Sequence, residues 1–493
     1  MKIAVFNSHS LWASHYETEL EIIQQHLEAG DEVVQMQCIS ELPTCDQNLN
    51  YAVDSCQRCI KKVEQGRSLL SKKITSVGID RYLNKSDWDR IINLPSGFKT
   101  VQELKEFTIE DFDIGQGVAS SIISLLRHSN FDLELHKDLL KNYLDGSAKV
   151  YFAFKSFIKQ EVPDVVYCFN GRWAHTRAVF RACENSGVTC ILHERGQDIL
   201  HYALFKNSFP HSIAKFTVRA NALWADAGPG KSELAAMFFE NRKNGNSDDW
   251  YSFIKKQKNS VFPAGWDETK LNVVIFNSSE DEVAAIDDEW KNEVYTDQIQ
   301  GIQSICESLK GDRSIQIYLR IHPNVAKAHP GEYTPYAKLT YNNLTIIGPD
   351  SEISTYGLLE KADKVITFGS TVGIEAVYWS KPSILAGKAF YQDLQGTYNP
   401  KSHEELLELL RRPLEPLPKE AALIYGYYFR SFGEPFIHTK AESFSQASFK
   451  GVDIDKASER DFLFRLLSRF GKINSAASWL HRRINLIKLF RLK

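Results

Sequence analysis

The chain has 493 residues, enough for two or three domains with a core each, and its 25% charged and 43% hydrophobic residues are an ordinary globular balance. A formal net charge of −3 argues against bulk nucleic-acid binding, and no apolar run approaches the roughly 18 residues that a membrane-spanning helix needs. Eight cysteines at this length are not a disulfide scaffold, and the opening MKIAVFNSHSLW reads as a first strand rather than a leader, so a reduced, cytoplasmic protein is expected.

In chain order, residues 2–7 read as a strand. Ser14-His15-Tyr16-Glu17 has the Ser-x-x-Glu form of a capping box, and its helix runs to about Ala29, where Gly30 ends it. Residues 31–37 form the next strand. This βαβ opening predicts an α/β fold with a parallel sheet and ligands at the carboxyl ends of its strands, near Asn7-Ser8-His9. Cys45, Cys56 and Cys59, with Cys38 nearby, resemble a metal set only loosely. The spacing is not that of a zinc finger, and part-buried thiols are the preferred reading. Residues 70–150 read as mostly helical, ending in a polar hinge near Asp145-Gly146. Three Asp-x-Asp pairs, at Asp87/Asp89, Asp111/Asp113 and Asp453/Asp455, follow no convincing strand and read as solvated acidic turns.

Residues 164–169 (DVVYCF) form a clear strand that ends in Asn170-Gly171-Arg172. A helix over 173–186 leads to a strand at 188–192, which ends in His193-Glu194-Arg195-Gly196. Consecutive parallel strands thus present Asn170/Arg172 and His193/Glu194/Arg195 at one sheet edge, the candidate catalytic cluster of this half. A structural Glu194–Arg ion pair is the alternative. Gly228–Ser232 (GPGKS) imitates a phosphate loop, but Ala225 stands where the first glycine belongs, so a helix start is expected.

Residues 244–270 are polar and rich in turn formers, and read as a linker. A second βα series opens with 272–277 (NVVIFN), followed by Ser278-Ser279-Glu280-Asp281-Glu282. A helix near 297–309 and a strand at 315–319 lead to Arg320-Ile321-His322-Pro323-Asn324. The stretch 364–386, KVITFGSTVGIEAVYWSKPSILA, is strand, small-residue loop, helix and strand. A loop of Gly369, Ser370 and Thr371 feeding a helix start offers backbone N–H groups and hydroxyls to an anion, and Glu375 lies one turn further, where it can accept from a ribose. The two loops 320–324 and 369–371 are read as holding the phosphates and sugar of one nucleotide. Phe390-Tyr391 and Gly396-Thr397-Tyr398 are placed beside its base or sugar.

The tail 460–493 carries nine Lys/Arg against one acid, Asp461, with apolar positions at helical spacing. It reads either as a basic amphipathic helix on an anionic membrane surface or as a helix packed across the domains. The organisation expected is an N-terminal domain over 1–243, a linker over 244–270, a C-terminal domain over 271–440 and a basic helical tail over 441–493.

The pairing of RIHPN (320–324) with FGSTVGIEAVYWSKPSI (368–384), preceded by FNSSEDE (276–282), resembles the bacterial capsule polysaccharide biosynthesis proteins and related GT-B glycosyltransferases. FNGR (169–172) and HERG (193–196) fit the same group. The resemblance covers roughly 160–400. It implies a GT-B fold, two Rossmann-like domains facing a cleft, with a nucleotide-sugar donor in the C-terminal domain and a glycan or lipid-linked glycan acceptor at the N-terminal one. In related sialyl- and Kdo-transferases a His-Pro motif and a Ser/Thr pair hold the donor phosphate, which points here to His322, Ser370 and Thr371. Arg320, Asn324, Ser278, Ser279, Glu280, Gly369 and Glu375 complete the expected donor set. Glu194 is the expected base, with Asn170, Arg172, His193 and Arg195 at the acceptor. Thr367 stands where an E-x7-E motif would place its first Glu, so retention and inversion both stay open. The implied enzyme needs no metal or other cofactor and no nucleic-acid partner. Its alternatives are a nucleotide-sugar epimerase or a non-catalytic assembly subunit, and its tail would give peripheral contact with the inner membrane.

Overall fold

Continuous apolar runs bounded by glycine or polar turns become buried parallel strands, because both sheet faces are covered by helices. The computed structural model describes residues 1–245, 257–258 and 261–455. The chain divides into two units: residues 1–122, 132–210 and 433 onward form unit 1, and residues 123–131 and 211–432 form unit 2. Among the described residues no helix is long and apolar enough to cross a membrane.

The first part of the chain gives β1 (Lys2–Asn7), α1 (His15–Glu28), β2 (Glu32–Gln37), α2 (Val53–Ser68), β3 (Thr75–Gly78), α3 (Lys85–Ile92), α4 (Val101–Lys105), α5 (Ile114–Leu126), α6 (Lys137–Glu161), β4 (Val165–Phe169), α7 (Ala174–Ser186), β5 (Thr189–Arg195) and β6 (His201–Lys206). The sheet runs β6-β5-β4-β1-β2-β3. The strands from β5 to β3 are parallel, and β6 is antiparallel to β5. In register, Phe6 lies beside Cys168, and Phe169 beside His193.

Several expectations change here. The hinge at Asp145-Gly146 is the interior of the 25-residue α6. Gly146 is there for close packing, since a Cβ would stand 2.8 Å from the Nε2 of His175. Residues 75–78, expected in a helical region, form the edge strand β3. Ser14 does precede α1, but its φ of 63° turns it away from capping, and no side-chain cap forms. Glu17, the expected box partner, is instead buried with Lys62 at 3.0 Å. Asp89 and Asp111 are exposed, as expected of solvated acidic residues, but one member of each Asp-x-Asp pair has a structural contact. Asp113 accepts from Arg177 and Arg181, Asp87 closes a capping box with Asn84, and Asp455 accepts from Lys62.

Unit 2 contains α8 (Ile213–Asp226), α9 (Lys231–Lys243), β7 (Leu271–Phe276), α10 (Gln298–Leu309), β8 (Ile315–Arg320), α11 (Pro330–Ala337), β9 (Leu344–Ile347), α12 (Thr355–Lys361), β10 (Lys364–Thr367), α13 (Val372–Tyr378), β11 (Ser383–Leu385), α14 (His403–Arg411) and α15 (Glu420–Ser431). Its sheet, β11-β10-β7-β8-β9, is parallel throughout. The GPGKS segment starts α9, with Gly230 at its N-cap.

The expected domain boundary at 243 falls inside unit 2. Its cause is apolar burial: Phe216 of α8 and Phe238 and Phe239 of α9 share one core with Ile374, Tyr425 and Tyr428. Similarly, residues after 432 belong to unit 1, because β12 (Glu434–Pro435) pairs antiparallel with β6 at the sheet edge. The hairpin β13 (Thr439–Ser443) and β14 (Gln446–Phe449) follows, and Phe449 and Ile454 bury against Tyr16 and Leu20 of α1. Most of the expected linker, and the basic tail from residue 456, lie outside the described residues.

Candidate functional site

Each sheet has one switch point, where successive connections leave in opposite directions and a crevice opens at the strand ends. In unit 1 it lies between β1 and β4, and in unit 2 between β7 and β10. In unit 2, Phe276 pairs with both Arg320 and Thr367, so the loops after β7, β8 and β10 leave the sheet at one level. These are the three loops singled out by the motifs.

His322 is the centre of this arrangement. Its backbone N–H donates to the side-chain oxygen of Asn277 at 2.7 Å, tying the loop after β8 to the loop after β7. Its Nδ1 accepts the backbone N–H of Asn324 at 3.2 Å, so the neutral ring carries its proton on Nε2. Burial first, then the charges of Arg320, Arg127 and Arg242, hold the imidazole down at about 4, against the pull of Asp281. At neutral pH it is therefore an uncharged hydrogen-bond donor in a field of arginines. Asn324 donates to Glu282 at 2.9 Å, a second tie between the same loops.

The loop after β7 is built inward. Ser279 donates to Asp281 at 2.6 Å, Ser278 N–H donates to Gln298 at 2.9 Å, and Glu280 opens the short 3-10 turn over Glu280–Glu282. The Ser278 hydroxyl is buried and has no hydrogen-bond partner among the described residues. It faces Gly369, whose missing Cβ would lie 3.4 Å from the Ser278 Oγ and 2.8 Å from the carbonyl of Lys388. With φ at +140°, only glycine sits there without strain.

After β10, Ser370 Oγ accepts the N–H of Val372 at 3.3 Å, which leaves its own O–H to donate. Thr371 donates to Glu375 at 3.3 Å. Glu375 does not reach outward as the expected ribose contact does. It is buried, and it also accepts from Tyr356 at 2.6 Å and pairs with Arg242 at 3.5 Å, because one turn into α13 the side chain faces the core. Tyr391, expected beside a base, lies fully under the loop and donates to the carbonyl of Ser370 at 2.6 Å. Phe390 packs on Phe216 and Trp290. Arg320 also departs from expectation. Its guanidinium donates to the carbonyls of Gly348 and Ser351, and burial brings it down to about 10. Arg127 and Arg242 were missed in the sequence: neither lies near a motif, and only folding brings them to His322.

In unit 1, Asn170 and Glu194 meet at the strand ends as expected. The Asn170 amide donates to Glu194 at 2.5 Å, and Glu194 also accepts the N–H of Arg195 at 3.0 Å. Asn170 holds a left-handed φ of 55°, with its side-chain oxygen 3.2 Å from the N–H of Arg172. The cluster differs from expectation in one respect: 193–195 continue β5 instead of forming a loop, since β6 pairs with them as Glu194↔Ala203 and Arg195↔Tyr202. Strand alternation then turns His193 to the opposite face from Glu194. His193 is fully buried, 3.7 Å from Glu19, and is not a surface contact for an acceptor. The Arg195 guanidinium donates to the carbonyl of Phe444 at 3.1 Å.

Beneath the switch point of unit 1 runs a closed polar chain. Ser8 Oγ lies 2.8 Å from His9 Nδ1, His9 Nε2 lies 3.1 Å from Asp46, and Tyr143 donates to Asp46 at 3.0 Å. Burial raises the Asp46 carboxyl, but the bond and charge of His9 and the charge of His175 overcome it, leaving it at about 2. Cys38, Cys45, Cys56 and Cys59 line one cavity of about 30 Å³ beside Ser8. Burial raises all four thiols, and among the described residues no group of three or more His, Cys, Asp or Glu is placed to hold a metal ion.

Residues 295–415 match the family model described as capsule polysaccharide biosynthesis protein. No curated protein matches the chain. Among solved structures, it is similar to the beta Kdo 2,4 transferase of Thermosulfurimonas dismutans KpsC at 16% identity, covering 54% of this chain and 79% of that one with a TM-score of 0.36. The beta Kdo 2,7 transferase of the same protein gives 14% identity, 56% and 79% coverage and a TM-score of 0.32. A UDP-GlcNAc 2-epimerase from Methanocaldococcus jannaschii gives 13% identity, 87% and 98% coverage and a TM-score of 0.26. Likenesses this distant assign no chemistry. Over residues 295–415, which hold His322, Gly369, Ser370 and Thr371, the chain matches the capsule polysaccharide biosynthesis family that its loop motifs resemble.

Proposed function

We propose that the protein is a GT-B glycosyltransferase of bacterial surface polysaccharide synthesis, transferring a sugar from a nucleotide-sugar donor to a glycan or lipid-linked glycan acceptor. The observation that carries the reading is His322. It is a neutral imidazole with its proton on Nε2, set in the loop after β8, tied to the loop after β7 that borders the switch point, and surrounded by the charges of Arg320, Arg127 and Arg242. Breaking a glycosyl–phosphate bond develops negative charge on the leaving phosphate. Preorganised donors at that point stabilise it more than they stabilise the ground state. The Nε2–H of His322 and the O–H of Ser370 are such donors, with Ser278 beside Gly369 as a third.

Glu194 is the proposed proton acceptor for the attacking hydroxyl. It is half-buried rather than sealed, and the Asn170 amide orients its carboxylate. Arg172 is assigned to the acceptor. We place the protein in the cytoplasm, with the basic tail 460–493 against the anionic inner leaflet, a reading that rests on composition. The chain's own donors meet the leaving-group charge in this scheme, so EDTA should leave the rate unchanged.

The test is turnover: the purified chain with CMP-, UDP-, GDP- and dTDP-sugars and capsule oligosaccharide acceptors, read by mass spectrometry. Acceptor extended by one sugar, and lost in His322→Ala, supports the proposal. A donor converted to its epimer with no acceptor, or no conversion of any donor, overturns it.

A further inference from the structure

We propose that Arg127 is a positioning residue of the donor site, delivered by the last turn of α5 and the strap that follows it, residues 123–131, which fix the loop after β7 against His322. This rests on the donor-site reading above. The strap lies far from every motif in sequence, yet it groups with unit 2. It is fastened there without help from the Arg127 side chain. The His329 N–H donates to the carbonyl of Arg127 at 3.0 Å. The Ser129 N–H and hydroxyl both donate to one oxygen of Glu332 at 2.7 Å. The His128 and His329 rings stack with centroids 4.3 Å apart and planes at 16°. Gly331 makes room for that stack, since a Cβ would stand 2.9 Å from His128 Nε2.

At the middle of this fastening, Arg127 directly follows α5 and holds φ at 51°, the left-handed conformation on which helices commonly end. The chain turns there, and the guanidinium reaches the loop after β7. Its Nε donates to Asp281, and its NH2 donates to Ser279 at 3.2 Å and approaches Glu282 at 3.7 Å. Asp281 is almost fully buried and also accepts from Ser279. The same short loop carries Asn277, which receives the His322 N–H, and Glu282, which receives Asn324. Arg127 thus closes one end of a loop whose other contacts set the height and direction of the His322 ring. Because its fork is committed to Asp281 and Ser279, it acts on a phosphate through that loop.

The experiment compares wild type, Arg127→Lys, Arg127→Ala and Arg127→Ala/Asp281→Asn, titrated calorimetrically with CMP and with UDP, with thermal unfolding in parallel. Arg127→Ala strands a buried carboxylate and is expected to lower the melting temperature. The double variant removes that carboxylate charge and restores the melting temperature, so folding and positioning separate. Positioning predicts that the double variant still binds the nucleotide about tenfold more weakly than wild type, a shift near 1.4 kcal/mol, and that Arg127→Lys falls between the two. Wild-type affinity in the double variant overturns the proposal, leaving Arg127 as a counter-ion only. Wild type that binds neither nucleotide removes the donor-site reading itself, and the positioning role with it.

Discussion

Lowering the pH from 7.5 to 5 should destabilise unit 2 through His322. Burial holds its imidazole at about 4, against an ordinary 6.5 in the unfolded chain. Between those values the unfolded state binds more protons than the native one, so stability falls as pH falls. The contribution is complete above pH 6.5, begins to be lost below it, and stops changing below about 4. At pH 5 the unfolded histidine is about 97% protonated and the folded one about 9%, which makes the loss roughly 2 kcal/mol. Carboxylates also titrate in this range, so the decisive quantity is a difference. His322→Gln keeps a polar side chain and cannot titrate. Urea unfolding at both pH values, with amide exchange over residues 323–327 to assign the transition, should show unit 2 of the variant losing about 2 kcal/mol less than wild type. Equal losses in the two proteins would refute the neutral, buried His322 on which the phosphate assignment depends.

Gly373→Ala would place a methyl 2.2 Å from the Tyr391 hydroxyl and 2.6 Å from Thr367 Oγ1. It should destabilise the protein by about 1–3 kcal/mol, read as a lower melting temperature, and weaken nucleotide binding by displacing the Ser370 loop. Glu194→Gln keeps the Asn170 contact in shape but removes the base; kcat should fall at least about a hundredfold with KM little changed, and an equal loss in both would point to binding instead. Deleting residues 479–493 should abolish co-sedimentation with vesicles of anionic lipid while leaving turnover on soluble acceptors intact. Unchanged sedimentation would refute the membrane reading of the tail.

What could be read from the sequence was what short-range patterning encodes. KIAVFN, DVVYCF and NVVIFN each have an uninterrupted apolar centre, as suits strands buried on both faces, and the loops that follow them stand where a parallel sheet collects its ligands. His322 stood out in the loop after the strand at 315–319, and its phosphate role followed from the resemblance of RIHPN to a His-Pro motif. Contacts formed only by tertiary packing left no such signal. Arg127 and Arg242 are arginines in unremarkable contexts. Glu375 has the spacing of a sugar contact, and only the nearness of Tyr356 and Arg242 shows that its carboxylate is already engaged. The β5–β6 hairpin was missed because HERG looks like a loop, although the HYALFK that follows it can pair with it in register. Residues 213–243 follow the N-terminal half in sequence, but their phenylalanines are complementary to an aromatic helix almost two hundred residues later.

A thermal-shift titration of wild type and His322→Ala with CMP, UDP, GDP and dTDP probes the donor site itself. Wild type should show a saturable rise with one nucleotide, since a ligand that binds only the native state stabilises it, and the variant a much smaller rise at the same concentrations. A rise of equal size in both proteins, or none with any nucleotide, would rule out a donor site built on His322.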